Sequence, residues 1–95
     1  MLFRSIQITV PRLRERTEDI PLLADLFLHK FNAENGATTE KFSPEAMMYL
    51  LSYAWPGNVR ELENVVHRCV VMADSHTKVI EADMLPSIIR EGRMS

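Results

Sequence analysis

Apolar residues recur every three or four positions through most of this chain, the spacing that places them on one face of an α-helix. The stripe of the first predicted helix consists of Ile20, Leu23, Phe27 and Phe31, with Leu26 beside it. Thr17 or Asp19 is the expected N-cap, and Pro21 is tolerated in the first turn. Asn35-Gly36 is expected to end this helix in a left-handed cap.

A second helix is predicted after a polar loop over residues 37–41. Ser43 is its expected N-cap, and Pro44 suits its first position because the N–H that proline lacks has no partner there. The predicted buried face of this helix consists of Met47, Leu50 and Leu51.

The third helix is predicted from Asn58 to about Ala73. Its apolar positions fall within an arc of about 100°, the width of a normal core stripe; they are Val59, Leu62, Val66, Cys69, Val70 and Ala73. Cys69 on this stripe is interpreted as a small core residue rather than a nucleophile. A second face of the same helix carries Arg60, Asn64, His67 and Val71. Because Val71 is unusual on a solvated face, the pattern leaves two alternatives open, a solvated surface and an interface.

The C-terminal part has a weaker pattern. Residues 74–78 are expected to form a turn and Val79-Ile80 a short extended piece. A short helix is predicted to begin over residues 81–85 and to be interrupted by Pro86. Ile88 and Ile89 are expected to pack back onto the bundle. Residues 91–95 are expected to be a frayed tail.

The N-terminal part alternates apolar and polar residues over 6–10, which predicts a β-strand. A lone strand of five residues is not stable, so this stretch is expected to be the remainder of a larger sheet. The linker that follows carries Arg12, Arg14 and Arg16, and its spacing alone is typical of a solvated basic segment.

Composition limits the function classes. Ninety-five residues make one small domain, with 46% hydrophobic and 25% charged residues, as in ordinary soluble globular proteins. A net charge of −2 gives no general attraction to nucleic acid or to an anionic membrane. No signal peptide or membrane span is visible, and a single cysteine suits a reducing compartment, so a cytoplasmic location is expected. His29, His67 and His76 are scattered, and no metal site is predicted.

The stretch between the second and third helices carries the candidate chemistry. Pro56 and Gly57 break the apolar pattern, and Asn58 followed by Glu61 predicts a capping box at a helix start. Arg60 then lies in the first turn, beside free N–H groups and the positive end of the helix dipole, where a phosphate could bind. The alternative is that Arg60 and Glu61 are ordinary surface charges of a capped helix.

Two motifs in this order resemble a known family. They are WPGNVREL at residues 55–62 and VPRLRERTEDIPLL at residues 10–23. Both are similar to the end of the AAA+ ATPase domain in sigma-54-dependent, NtrC-like bacterial enhancer-binding activators, and the resemblance covers about residues 6 to 90. It implies an all-α fold, a small helical bundle that is the AAA+ lid subdomain, preceded by an orphan strand and hinge. Residues 1–16 would be the last core strand and hinge, and residues 17–90 the lid.

The resemblance also implies roles for individual residues. Arg60 corresponds to the sensor II arginine, which reaches the phosphates of ATP from the lid. Asn58, Val59 and Ile20 would be further nucleotide-binding positions in the parent protein, and Arg14 and Arg16 hinge residues. The family has a second proline where Arg12 stands, so this hinge is expected to be less stiff.

For the whole protein the resemblance implies ATP with Mg²⁺ as cofactor, a ring oligomer that is commonly a hexamer, and action on sigma-54 RNA polymerase. The partners of the chain itself would be its own ATPase core and the neighbouring subunits. No phosphate-binding loop of the form G-x-x-x-x-G-K-[ST] is present in these residues. The chain alone is therefore expected to bind no cofactor and to have no enzyme activity.

Two other functions stay open at this stage. Two helices joined by a short turn with glycine suggest a DNA-binding helix-turn-helix. Glu61 and Glu63 at the start of the second helix would face phosphates unfavourably, which counts against it. The other alternative is a plain helical protein-interaction module that uses the face from Arg60 to Val71. Binding assays with labelled nucleotide and duplex DNA, on the chain alone and fused to a full ATPase core, would separate the three functions.

Overall fold

A computed structural model describes residues 17–91. Its elements in chain order are α1 (Asp19–Asn35), β1 (Lys41–Phe42), α2 (Pro44–Ser52), α3 (Asn58–Met72), β2 (Val79–Ile80), a 3₁₀ turn (Ala82–Met84) and α4 (Ser87–Glu91). The predicted small helical bundle is confirmed, with the addition of a two-stranded parallel sheet. The predicted strand at 6–10, the linker arginines and the tail from residue 92 lie outside the described residues.

The two ends of α1 differ from each other in how well the sequence predicted them. Gly36 adopts φ 65° and donates its N–H to the Asn32 carbonyl, which confirms the left-handed cap. At the other end Glu18 takes the N-cap position, with no side-chain capping bond, so the predicted cap by Thr17 or Asp19 is wrong. Thr17 contributes its carbonyl oxygen instead, which accepts from Ile20 N at 3.1 Å. Residues 17 and 18 form a turn that leads into the helix.

The buried face of α1 is rotated from the predicted one. The fully or almost fully buried residues of this helix are Ile20, Ala24, Leu28 and Phe31. Leu23 and Phe27 are only half-buried, and Leu26 is 63% exposed, so its predicted place beside the core is wrong. Helix α1 packs mainly along α3. A small residue at position 24 fits this contact because it allows two helices to approach closely.

Helix α2 begins as predicted. The Ser43 hydroxyl accepts from Ala46 N at 3.0 Å, and Pro44 occupies the first turn. Ala46 and Leu50 form its buried face, and Met47 is half-buried. Leu51 is 37% exposed, so its predicted burial is wrong. The helix is only nine residues long and presents a narrow face to the core, which position 51 misses.

A short parallel sheet joins the segment before α2 to the segment after α3. Lys41 pairs with Val79 and Phe42 with Ile80, and Ser43 N donates to the Ile80 carbonyl at 2.9 Å. Phe42 and Ile80 are buried. The extended piece at 79–80 is confirmed, whereas the end of the predicted 37–41 loop is a strand because β2 pairs with its backbone.

The C-terminal segment consists of two short pieces on either side of Pro86. The 3₁₀ turn precedes the proline and α4 follows it, which refines the predicted interrupted helix. Ile89 packs into the core as expected, but Ile88 is 49% exposed, so half of that prediction is wrong. Glu91 still belongs to α4 rather than to a tail. No helix within residues 17–91 has the length and apolar character needed to cross a membrane.

Cys69 is a fully buried free thiol on α3, as the core interpretation predicted. Its Sγ lies 3.6 Å from the Met84 carbonyl oxygen. Burial raises the pKa of this thiol to about 11. A cysteine needs its thiolate form to act as a nucleophile, so Cys69 is unsuited to that role near neutral pH.

Because the pKa of Cys69 is raised, we expect the folded chain to lose stability at alkaline pH. The unfolded thiol ionises near pH ~8.5, so above that pH the unfolded chain binds fewer protons than the folded one. Stability from this group is complete below pH ~8.5 and is lost as the pH rises towards 11, by about 3 kcal/mol. The measurement is the unfolding free energy of wild type and Cys69→Ala between pH 8 and pH ~11. The same pH dependence in both proteins would contradict it.

Candidate functional site

The site is built on the connection between α2 and α3, residues 53–57. Trp55 lies at its centre, 1% exposed, and its indole N–H donates to the Leu50 carbonyl at 2.8 Å. The ring of Tyr53 meets the Trp55 ring edge-on, with centroids 4.9 Å apart and planes at 87°. Trp55 also has a positive φ of 55°, which is uncommon for a bulky residue. The buried ring and its hydrogen bond hold the backbone in this conformation.

The Glu61 side chain of α3 bonds to two residues of this connection. Its Oε1 accepts from Gly57 N at 2.8 Å and its Oε2 accepts from the Tyr53 hydroxyl at 3.1 Å. Burial first, and the hydrogen bond to Glu61 second, raise the pKa of the Tyr53 hydroxyl above its ordinary value. We call Tyr53, Gly57 and Glu61 the carboxylate bridge. It joins the end of α2 to the first turn of α3 through one side chain.

Gly57 is required where it stands. A Cβ added at this residue would lie 2.9 Å from Glu61 Cβ, closer than real Cβ atoms approach. Gly57 has φ −89° and ψ 6°, so close packing rather than backbone conformation is the reason for glycine. The carboxylate bridge depends on this close approach.

The predicted capping box is present in a shifted form. Gly57, not Asn58, takes the N-cap position, and it has no side chain with which to cap. Asn58 has φ 57° and donates its N–H to the Trp55 carbonyl at 2.8 Å. The prediction of Asn58 as N-cap is therefore wrong by one residue. Asparagine still suits the position, because it tolerates the left-handed region better than most residues.

Arg60 is exposed in the first turn of α3, one residue before Glu61. Backbone N–H groups in a first helical turn have no partner within the helix, and the helix dipole adds positive potential there. Val59 beside it is half-buried and packs against the core. Within residues 17–91, neither the Lys30–Glu63 ion pair nor the contact of Asp25 with His29 involves Arg60. An exposed guanidinium at a helix N-terminus is an arrangement that can bind a phosphate.

Unlike Arg60, Ile20 is not exposed to solvent. Its side chain is completely buried in the core. It packs α1 onto the core, and its role at the nucleotide stays a prediction. The hinge candidates Arg14 and Arg16 lie outside the described residues.

The predicted second face of α3 is exposed along its length, at Asn64, His67 and Val71, with Val71 57% exposed. The His67 ring stacks on Phe31 of α1, with centroids 4.3 Å apart and planes at 22°. Lys30 lies over the same Phe31 ring at 5.2 Å. His67 is thus part of the α1–α3 contact, which sequence spacing within one helix could not indicate.

A hollow of about 460 Å³ lies elsewhere, between α2 and the C-terminal segment. Its lining residues are Glu45, Tyr49, Glu81, Ala82, Asp83 and Arg90. Three carboxylates against one guanidinium would repel a phosphate, so this hollow is not the candidate nucleotide site. Within residues 17–91 no three His, Cys, Asp or Glu side chains come together as metal ligands.

Comparison with known proteins gives a family for this chain. The AAA+ ATPase lid domain family matches residues 14–95. Nitrogen fixation protein AnfA of Azotobacter vinelandii is 47% identical over 88 residues, which are 93% of this chain and 16% of AnfA. Transcriptional regulatory protein ZraR of Escherichia coli is 54% identical over 67 residues, which are 70% of this chain and 15% of ZraR. The chain therefore spans less than a fifth of the length of these curated relatives.

Solved structures agree with the sequence relatives. NtrX from Brucella abortus in complex with ATP matches with a TM-score of 0.81 and 34% identity, over 93% of this chain and 20% of NtrX. The same protein in complex with ADP matches with a TM-score of 0.79 over 92% of this chain. The family match, the relatives and the fold all agree with the two motifs, and the chain belongs to the AAA+ ATPase lid domain family.

Proposed function

We propose that this chain is the lid of the ATPase domain of a sigma-54-dependent transcriptional activator, and that Arg60 contacts the phosphates of ATP bound to the core. The observation that carries the proposal is the placement of Arg60. It is an exposed cation at a helix N-terminus, directly after a connection fixed by Trp55 and the carboxylate bridge. Transcriptional regulatory protein ZraR and ATP-bound NtrX among the similar proteins support it.

The residues of the site fit a phosphate. Arg60 supplies a guanidinium that can donate two parallel hydrogen bonds to phosphate oxygens. The first turn of α3, at Asn58 and Val59, adds the helix dipole, and Val59 adds its backbone N–H, because the Asn58 N–H already donates to the Trp55 carbonyl. ATP with Mg²⁺ supplies the phosphoryl group that hydrolysis transfers, and the core would hold both. Charge from Arg60 stabilises the phosphoryl oxygens as negative charge develops on them.

Motion follows from this contact. Trp55 and the carboxylate bridge join the end of α2 to the first turn of α3, so a force on Arg60 would move the two helices together. Closure of the lid when Arg60 meets the phosphates, and release after hydrolysis, would couple turnover to movement between subunits.

The proposed partners are the chain's own core, neighbouring subunits of a ring, commonly a hexamer, and sigma-54 RNA polymerase. The proposed location is the cytoplasm. The face of Asn64, His67 and Val71 is the proposed contact with core or neighbour.

The chain alone is expected to bind ATP only at millimolar concentration or not at all. One arginine and one helix end cannot replace the loop that surrounds the phosphates in the core. Isothermal titration of the 95-residue chain with ATP, with duplex DNA as the parallel titrant, measures this. Micromolar ATP affinity or any turnover would contradict the lid function. Micromolar duplex binding would favour a helix-turn-helix instead.

A further inference from the structure

The Glu61 side chain lies in the first turn of α3, and it is half-buried although it carries a charge. Both of its oxygens have a partner: Gly57 N at 2.8 Å and the Tyr53 hydroxyl at 3.1 Å. Tyr53 is itself almost fully buried and packs against the Trp55 ring. The carboxylate thus ties the first turn of α3 to a rigid part of the core.

We infer that Glu61 is a positioning residue for Arg60: its carboxylate, held by Tyr53 and Gly57, fixes the place from which Arg60 reaches a phosphate. The inference rests on the proposed phosphate contact of Arg60. Glu61 follows Arg60 directly in the chain, so the backbone that carries the guanidinium is the backbone that the carboxylate bridge holds. No contact between Glu61 and the nucleotide is required.

Two physical effects give Glu61 this role. First turns of helices fray because their N–H groups lack intrahelical partners, and the Gly57 bond opposes that fraying at the N-cap. Catalytic geometry is sensitive to displacement, and a shift of about 1 Å can reduce a rate a hundredfold. The carboxylate also bonds away from Arg60, so the neighbouring negative charge forms no ion pair that would compete with a phosphate.

A double-mutant cycle in the full-length ATPase tests this role. ATP turnover per folded molecule is measured for wild type, Glu61→Ala, Arg60→Ala and the double variant. We expect Glu61→Ala to lower kcat about tenfold or more in the wild-type background, with a smaller change in KM, as for an interaction made in the transition state. In the Arg60→Ala background the same substitution should cause no further loss, because the residue through which it acts is gone.

Conservative and control variants sharpen the test. Glu61→Gln should restore most of the turnover, because its amide oxygen can still accept from Gly57 N. Tyr53→Phe removes one bond of the carboxylate bridge and should give a smaller loss, also absent without Arg60. If Glu61→Ala does not fold, the Tyr53→Phe variant still tests the positioning role. Glu63→Gln, on the same helix and paired with Lys30 at 3.0 Å, is the matched control and should leave turnover unchanged.

The outcomes are distinct. An equal loss from Glu61→Ala in both backgrounds would show a general structural role and overturn the inference. So would unchanged turnover of both Glu61→Ala and Tyr53→Phe while Arg60→Ala is impaired. Unchanged turnover of Arg60→Ala would remove the proposed function itself, and the positioning role with it.

Discussion

Trp55→Ala is expected to destabilise the chain by about 3–5 kcal/mol, the usual cost of removing a large buried ring. The indole belongs to the connection between α2 and α3, is 1% exposed, and donates to the Leu50 carbonyl at 2.8 Å. Its removal leaves a cavity, an unpaired carbonyl group and a positive-φ residue without the packing that holds it. Denaturant unfolding of the chain, followed by helical circular dichroism, measures the effect.

An exposed residue on α2 provides the control for Trp55. Met48 is 66% exposed, and Met48→Ala should change the unfolding free energy by no more than about 0.5 kcal/mol. A loss below about 1 kcal/mol for Trp55→Ala would mean that the α2–α3 connection does not depend on the ring. The rigid placement of Arg60 would then lose its main support.

Arg60→Ala is expected to lower ATP hydrolysis by the full-length protein about a hundredfold or more, because under the proposed function it removes a positive charge beside the transferring phosphoryl group. The stability of the chain should change by only a few tenths of a kcal/mol, as for an exposed helix residue. Steady-state turnover of the full-length protein and thermal melts of the chain measure the two effects separately.

Arg68→Ala is the matched control for Arg60→Ala. Arg68 is also exposed on α3, two turns further along and away from the helix N-terminus. The same charge is removed, so a general electrostatic effect would appear in both variants. If Arg60→Ala melts the chain yet leaves turnover per folded molecule intact, Arg60 is structural.

Local chemistry explains what the sequence predicted well. Ser43, Pro44 and Gly36 act within a few residues of themselves, so their roles as caps do not depend on the rest of the fold. Apolar periodicity predicted the helices α1, α2 and α3 and the core position of Cys69. The order of the WPGNVREL and VPRLRERTEDIPLL motifs indicated the family.

Tertiary contacts explain the errors. Helix α1 has apolar residues on most of its sides, so periodicity alone could not decide between Leu26 and Leu28. The packing of α1 against α3 buries Leu28 and leaves Leu26 exposed. The strand at Lys41–Phe42 forms only because β2 returns to it from the far end of α3. The left-handed conformation of Asn58 depends on the buried Trp55, and moves the N-cap to Gly57.

The sequence predicted the local features of the candidate site but not its contacts between distant residues. Arg60 could be placed in a first helical turn from its neighbours, and the structure puts it there. The Asn-x-x-Glu spacing predicted that the Glu61 side chain bonds to the backbone at the helix start. It did not predict the hydrogen bond from the Tyr53 hydroxyl, which lies eight residues earlier in the chain. The stacking of His67 on Phe31 joins two helices and has no signal in either one.

Under the proposed function, Arg60 contacts the phosphates of ATP when the lid closes. The most direct measurement is a crystal structure of the full-length protein with a non-hydrolysable ATP analogue and Mg²⁺. We expect the Arg60 guanidinium nitrogens to lie about 2.7–2.9 Å from β- or γ-phosphate oxygens, the range of charge-assisted hydrogen bonds. A closed lid in which Arg60 points into solvent, or in which another lid residue contacts the phosphates, would contradict it.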